Sequence, residues 1–223
     1  MESNMWVLMK KNAFMFVLLS GSIMALDTVY LLFVRKTLNP NILIFLGQIL
    51  MYCVLMSVLT SEKAEEKNNG YAFMSHLPIK NHDIVASKFA VLLSAVVFLF
   101  VYTSVLISFM EAESYIFSSG RIFLLLCGNL GLILAGGMYI LIYRWGYTTF
   151  MKISVLVVIV FMVGPFLFIE FVLVRRNINY GAWLQSANDL PWFIWLIATA
   201  VTLTLFWTLL QVAVKAKESQ RGK

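Results

Sequence analysis

The chain has 223 residues, of which 61% are hydrophobic and 13% charged, and its formal net charge is +6. Soluble domains are about 45–50% apolar and about 25% charged, so this composition excludes an ordinary water-soluble enzyme and predicts an all-α membrane protein. The length fits a single transmembrane domain, residues 1–223, without room for a separate catalytic domain. The basic residues form no cluster with aromatic side chains, so we expect no nucleic-acid partner.

Six apolar stretches are each long enough for a membrane-spanning helix, which needs about 20 mostly apolar residues. They lie at about 13–34, 41–60, 88–110, 121–143, 153–174 and 191–214. An even number of spans places both termini on one side. Twelve of the 17 Lys and Arg residues lie on that side, and the exceptions are Arg35, Lys36, Arg121, Arg175 and Arg176. The positive-inside rule therefore predicts that both termini and the loop 61–87 are cytoplasmic.

The N-terminal region allows two interpretations. Lys10 and Lys11 precede an apolar run, as in a signal peptide, but the run resumes after Asp27 and continues to Val34. A signal peptide has a shorter apolar region, so we favour an uncleaved first helix. The preceding residues 5–11 suit a short interfacial segment, with Trp6 at the level of the lipid headgroups.

Two acidic residues lie inside predicted spans, Asp27 in the first and Glu170 in the fifth. An ionised carboxylate at the bilayer centre is costly, so such residues usually face a bundle interior or a water-filled path. Both are therefore candidates for the lining of a substrate path. The alternative remains open that each stays hydrated near the outer interface or pairs with Arg35, Arg175 or Arg176.

Small residues in the spans predict places where helices approach closely. These are Gly21 and Ala25 in the first span and Gly128, Gly131, Ala135, Gly136 and Gly137 in the fourth. Cys53 and Cys127 both lie in apolar spans, which favours buried thiols over a disulfide framework.

The longest polar interruption, Ser61–Lys88, has the pattern of a partner-binding loop. Ser61 can cap a helix that begins with acidic residues, and Asn81 can cap a second helix that leads into the third span. Between them, apolar side chains follow Gly70 and end at Pro78. Exposed apolar groups rimmed by charge usually mark a partner surface, although docking on lipid is the alternative. The residues concerned are Glu62, Glu65, Glu66, Tyr71, Phe73, Met74, Leu77 and Pro78.

Motifs for catalysis are missing from the sequence. There is no phosphate-binding GxxxxGK[ST], no zinc-binding HExxH and no GxSxG. His76 and His82 lie in the loop, and the Glu65–Glu66 pair lies outside the predicted spans, where it does not fit an intramembrane protease. We therefore expect no catalytic residue, cofactor or metal on this chain, and energy from ATP would have to come from another chain.

The same loop resembles the cytoplasmic loop between the second and third helices of bacterial ABC-2 type permeases. The resemblance rests on Glu62, Gly70, the segment from Ser75 to Ile79 and the segment from Ile84 to Lys88. It implies a six-helix bundle of the type V exporter-like class in the bacterial plasma membrane. It also implies a second permease chain and an ABC ATPase that binds Mg-ATP and holds the short coupling helix of the loop. The docking residues would be those of the loop just named.

Small members of this family often export cytolytic or antimicrobial peptides, which implies an amphipathic peptide or another lipophilic substrate. A function of another class remains open: a non-transporting immunity or sensor subunit that binds a peptide or a partner protein through the same loop.

Overall fold

The computed structural model describes residues 40–67, 80–109, 114–153 and 191–221, together with the six positions 13, 14, 17, 21, 24 and 28. Four long helices account for most of them: α1 (Pro40–Lys67), α2 (Asn81–Ser108), α3 (Ser114–Trp145) and α4 (Trp192–Arg221). Residues 147–153 and the six N-terminal positions are helical as well. Every regular element within these ranges is thus a helix, which confirms the all-helical class.

Three of the helices are long and apolar enough to cross a membrane: Asn81–Ser108, Arg121–Trp145 and Phe193–Ser219. They coincide with the predicted spans 88–110, 121–143 and 191–214. The predicted span 41–60 lies within α1. The spans 13–34 and 153–174 fall mostly outside the described residues, so the total of six spans and the side of the termini stay predictions.

The outer faces of these helices are apolar, as expected for contact with lipid tails. On α2, Val97, Phe98 and Val101 are each more than half exposed, and on α4 so are Leu196 and Trp207. In water such continuous apolar surfaces would promote aggregation. Buried hydroxyl groups bond within their own helices, as Ser57 does to the Val54 carbonyl at 2.7 Å and Thr103 to the Leu99 carbonyl at 2.7 Å. These two hydroxyl groups are therefore satisfied without water.

Helix α3 is central to the described bundle and touches the other three long helices. It runs parallel to α4, because Asn129 in the middle of α3 donates a hydrogen bond to Thr199 in the first part of α4, while Tyr143 near the end of α3 lies under Lys217 near the end of α4. Since α3 and α4 are parallel, the chain that follows α3 has to return to the opposite end of the bundle before α4 begins. The predicted fifth span, 153–174, lies in this interval, outside the described residues.

Glycines allow the close approach of these helices, as predicted for the fourth span. A Cβ atom on Gly128 would lie 3.0 Å from Val96, and one on Gly136 would lie 3.0 Å from Leu209. At Gly21 and Gly137 a Cβ atom would meet no described atom within 4 Å, so the close approach predicted there stays a prediction. The tightest approach was not predicted: at Gly47 of α1, a Cβ atom would lie 2.6 Å from Phe123 and 2.7 Å from Cys127.

The N-terminal helical positions contact α2 at its far end from Lys88. The Tyr102 hydroxyl donates to the Met24 carbonyl at 2.7 Å, and Thr28 donates to the same carbonyl at 2.8 Å. Met24 is buried in the hydrophobic core. The first predicted span therefore packs on the bundle through residues that adjoin Asp27 in sequence, while Asp27 itself lies outside the described residues.

Candidate functional site

Two helical stems connect the bundle to the predicted docking loop. We define the loop stems as residues 61–67, the end of α1, and residues 81–88, the start of α2. Helix α1 continues without a break through Ser61, which is buried, so the prediction that Ser61 caps a new helix is wrong. At the start of α2, Lys80 is the extended N-cap residue and Asn81 is already helical, which corrects the second predicted cap by one residue.

The two stems are joined by a buried set of charges. Lys88 Nζ on α2 donates hydrogen bonds to Glu62 Oε1 and to Glu65 Oε2 on α1, the latter at 2.8 Å. The exposed fractions of Lys88, Glu62 and Glu65 are only 1%, 0% and 3%. Glu62 and Glu65 are three residues apart and therefore lie on one face of α1. That face is turned towards α2.

The other two long helices extend this site. The Lys88 ammonium lies 5.7 Å from the ring centre of Tyr139 and 5.6 Å from that of Tyr143, both on α3. On α4, the Lys217 ammonium lies 5.0 Å from the Tyr143 ring centre. We call this set, Glu62, Glu65, Lys88, Tyr139, Tyr143 and Lys217, the Lys88 cluster. It is the place where all four long helices contribute polar or aromatic side chains to one buried site.

The formal charges of the Lys88 cluster cancel, since two carboxylates lie near two ammonium groups. Removing an ion from water costs several kcal/mol, and only close partners with good hydrogen bonds offset that cost. Burial raises the pKa of the Glu62 carboxyl, with a smaller rise from Glu65, while Lys88 and Lys217 act in the opposite direction. The tyrosine rings add cation–π contacts to the two lysines.

The structure separates the predicted docking residues into two groups. Glu62 and Glu65 do not lie on a partner-facing surface, because their side chains point into the bundle and bind Lys88. Glu66 is half-buried. We therefore assign Glu62 and Glu65 to the Lys88 cluster rather than to a docking face. The remaining site residues lie outside the described residues: Tyr71, Phe73, Met74, Leu77, Pro78, Asp27 and Glu170.

Sequence reasoning missed the partners that complete the cluster. The sequence marks Lys88 as a cytoplasmic positive charge and as the last residue of the loop motif, but not as a partner of Glu62 and Glu65, and it does not single out Tyr139, Tyr143 or Lys217. One signal was present: two acids spaced for one helix face, followed by a lysine at the edge of the next apolar run. That signal is only informative if α1 is known to continue beyond Thr60.

Comparison with known proteins agrees with the resemblance of the loop. A family model described as "ABC-2 family transporter protein" matches residues 6–216. No curated protein and no solved structure matches significantly. The family match covers almost the entire chain, including both loop stems and all members of the Lys88 cluster except Lys217. The chain therefore belongs to the ABC-2 family of transporter proteins.

Proposed function

We propose that this chain is the membrane-spanning subunit of an ATP-driven exporter whose energy comes from a separate ABC ATPase. Membership of the ABC-2 family makes it a membrane transport subunit that is not itself catalytic. The ATPase binds Mg-ATP and docks on the segment between the loop stems. A second permease chain, identical or different, completes the transport unit in the bacterial plasma membrane.

The observation that carries this proposal is that the docking segment connects the ends of two long, packed helices. Helices α1 and α2 have 28 residues each, which corresponds to about 42 Å at 1.5 Å per residue. The hydrocarbon core of a bilayer is only about 30 Å thick. The loop stems thus extend the predicted spans 41–60 and 88–110 and hold residues 68–79 at the ends of two packed helices. A movement of that segment is passed along the helices to the core.

The substrate we propose is amphipathic, with a cytolytic or antimicrobial peptide as the first choice. Most of the described core consists of aliphatic and aromatic side chains. A substrate path lined by side chains of this kind would accommodate apolar groups without fixed hydrogen-bond partners. Asp27 and Glu170 supply the carboxylates that would attract a cationic substrate.

Replacing Phe73 and Leu77 with Asp is expected to abolish binding of the ATPase. The two aspartates put charge into the proposed apolar docking face, while the four long helices keep their packing. The measurement is affinity purification in mild detergent, with mass spectrometry of the bound chains. The matched control is Phe109→Asp, the same chemical change at a side chain that is 73% exposed at the other end of α2.

Loss of ATPase from the double variant alone supports the docking face. Retained ATPase at the wild-type ratio contradicts it. If the intact wild-type chain never captures an ATPase, the exporter proposal fails, and a non-transporting immunity or sensor subunit becomes the better explanation.

Replacing Asp27 with Asn is expected to lower the transport of a cationic amphipathic peptide by about fivefold or more, a typical lower value for coupling between sites. The physical reason is the loss of one negative charge from the proposed substrate path. The measurement is peptide uptake into inverted vesicles, with peptide-stimulated ATP hydrolysis as a second readout. Asp27→Glu keeps the charge and serves as control. Equal rates for wild type and Asp27→Asn at every peptide concentration would remove Asp27 from the substrate path.

A further inference from the structure

The Lys88 cluster lies where the two loop stems enter the bundle. Glu62 and Glu65 lie on the stem of α1, and Lys88 is the last residue of the stem of α2. The covalent connection between the stems runs through residues 68–79. The two hydrogen bonds of Lys88 form a second, direct connection between them.

Two carboxylates on one ammonium group restrict the stems more than a single ion pair would. Residues three apart on a helix are separated by about 4.5 Å along its axis. Since both carboxylates meet the same Nζ atom, a sliding movement or a rotation of α1 against α2 lengthens at least one of the two bonds. The geometry therefore fixes the register of the stems.

Stability alone is a weak explanation for this arrangement. In a protein interior, apolar residues of similar size often stabilise the fold as much as a buried ion pair does. Ionic groups with directed hydrogen bonds, by contrast, define one relative position of the two helices that they join. The cluster also reaches α3 through the rings of Tyr139 and Tyr143. A displacement of the stems is thereby passed to the centre of the bundle and, through Lys217, to α4.

We propose that Glu62, Glu65 and Lys88 are positioning residues for energy coupling: they hold the two loop stems in one register, so that movement imposed on the docking segment moves the bundle. This inference rests on the proposed function and adds to it a site distinct from the docking face. The residues touch neither ATP nor substrate. They act through the stems.

The first part of the test measures the register directly. Spin labels are attached to cysteines introduced by Lys67→Cys and Lys80→Cys, after Cys53→Ala and Cys127→Ala. Lys67 is the last residue of the α1 stem, Lys80 directly precedes the α2 stem, and both are exposed. Wild type is expected to give one narrow distance distribution. The triple variant with Met at positions 62, 65 and 88 is expected to give a broad one. Lys63→Met is the matched control, because it removes a lysine charge from the same stem of α1 at a side chain that is exposed and lies outside the Lys88 cluster.

The second part measures coupling in liposomes that contain the permease and its ATPase. The triple variant keeps the docking segment and is expected to capture the ATPase normally. The amount of substrate moved per ATP hydrolysed is expected to fall about fivefold or more, while Lys63→Met stays at the wild-type value. If the triple variant does not insert, Glu65→Gln replaces it and is expected to show a smaller change in the same direction in both readouts.

The outcomes separate the two proposals. A narrow distance distribution or unchanged coupling in the charge-free variant overturns the positioning role. Absence of any ATPase from the wild-type complex overturns the proposed function, and the distance measurement then still decides whether the three charges fix the register.

Discussion

Replacing Lys88 with Met is expected to lower the free energy of unfolding by about 3–5 kcal/mol, the usual cost of removing one partner from a buried ion pair. The substitution keeps most of the side-chain volume but leaves Glu62 and Glu65 buried without the ammonium group that binds both of them. The measurement is unfolding in detergent by increasing fractions of SDS, followed by the helical circular dichroism signal.

Lys63→Met is the matched control for this prediction. Lys63 lies on the same stem but is exposed, so the same chemical change is expected to alter stability by no more than about 0.5 kcal/mol. A similar loss of unfolding free energy in Lys88→Met and Lys63→Met would show that the ion pairs of Lys88 make no specific contribution to stability. The triple variant with Met at 62, 65 and 88 is expected to recover most of the loss, because it removes the buried carboxylates together with the lysine.

Replacing Gly47 with Ala is expected to lower the free energy of unfolding by about 1–3 kcal/mol, a typical cost of overpacking. The new methyl group would lie within 2.7 Å of both the Phe123 ring and Cys127 Sγ, so these side chains have to shift or α1 and α3 have to separate. Helices in a bilayer associate largely through such close packing. The same SDS unfolding experiment measures the effect.

The control is Gly137→Ala on α3, where the methyl group meets no described atom within 4 Å. Its stability is expected to stay within about 0.5 kcal/mol of wild type. An equal loss at Gly137 would mean that glycine itself, rather than the contact between α1 and α3, determines the effect at Gly47.

Much of the helical architecture could be predicted from the sequence, because apolar stretches of sufficient length leave few alternatives in a membrane. The end of α1 could not be predicted in this way. The change from apolar to charged residues at Ser61 and Glu62 was interpreted as the end of one helix and the start of another. It marks only the edge of the predicted membrane region, since tertiary packing and the bonds to Lys88 keep the helix intact through Lys67.

Only part of the candidate site could be predicted from the sequence, for a related reason. The position of a functional loop was readable from its polarity and motif, yet the inward orientation of Glu62 and Glu65 depends on a partner 26 and 23 residues further along the chain. No periodicity within one segment encodes such a pairing. Gly47 escaped notice similarly, because it is isolated in α1, whereas the glycines of α3 form a visible group.

The pairing of Lys88 with Glu62 and Glu65 also bears on the order in which the protein is built. These three residues lie in consecutive helices, so the hairpin of α1 and α2 can form both bonds of Lys88 as soon as both helices have left the ribosome, with one carboxylate charge still to be balanced by Lys217. Lys217 is synthesised 129 residues after Lys88. Early segments of a nascent chain fold first, so the pairing of α1 with α2 is expected to precede the packing of α4. The last helix then completes a site that its predecessors have already assembled.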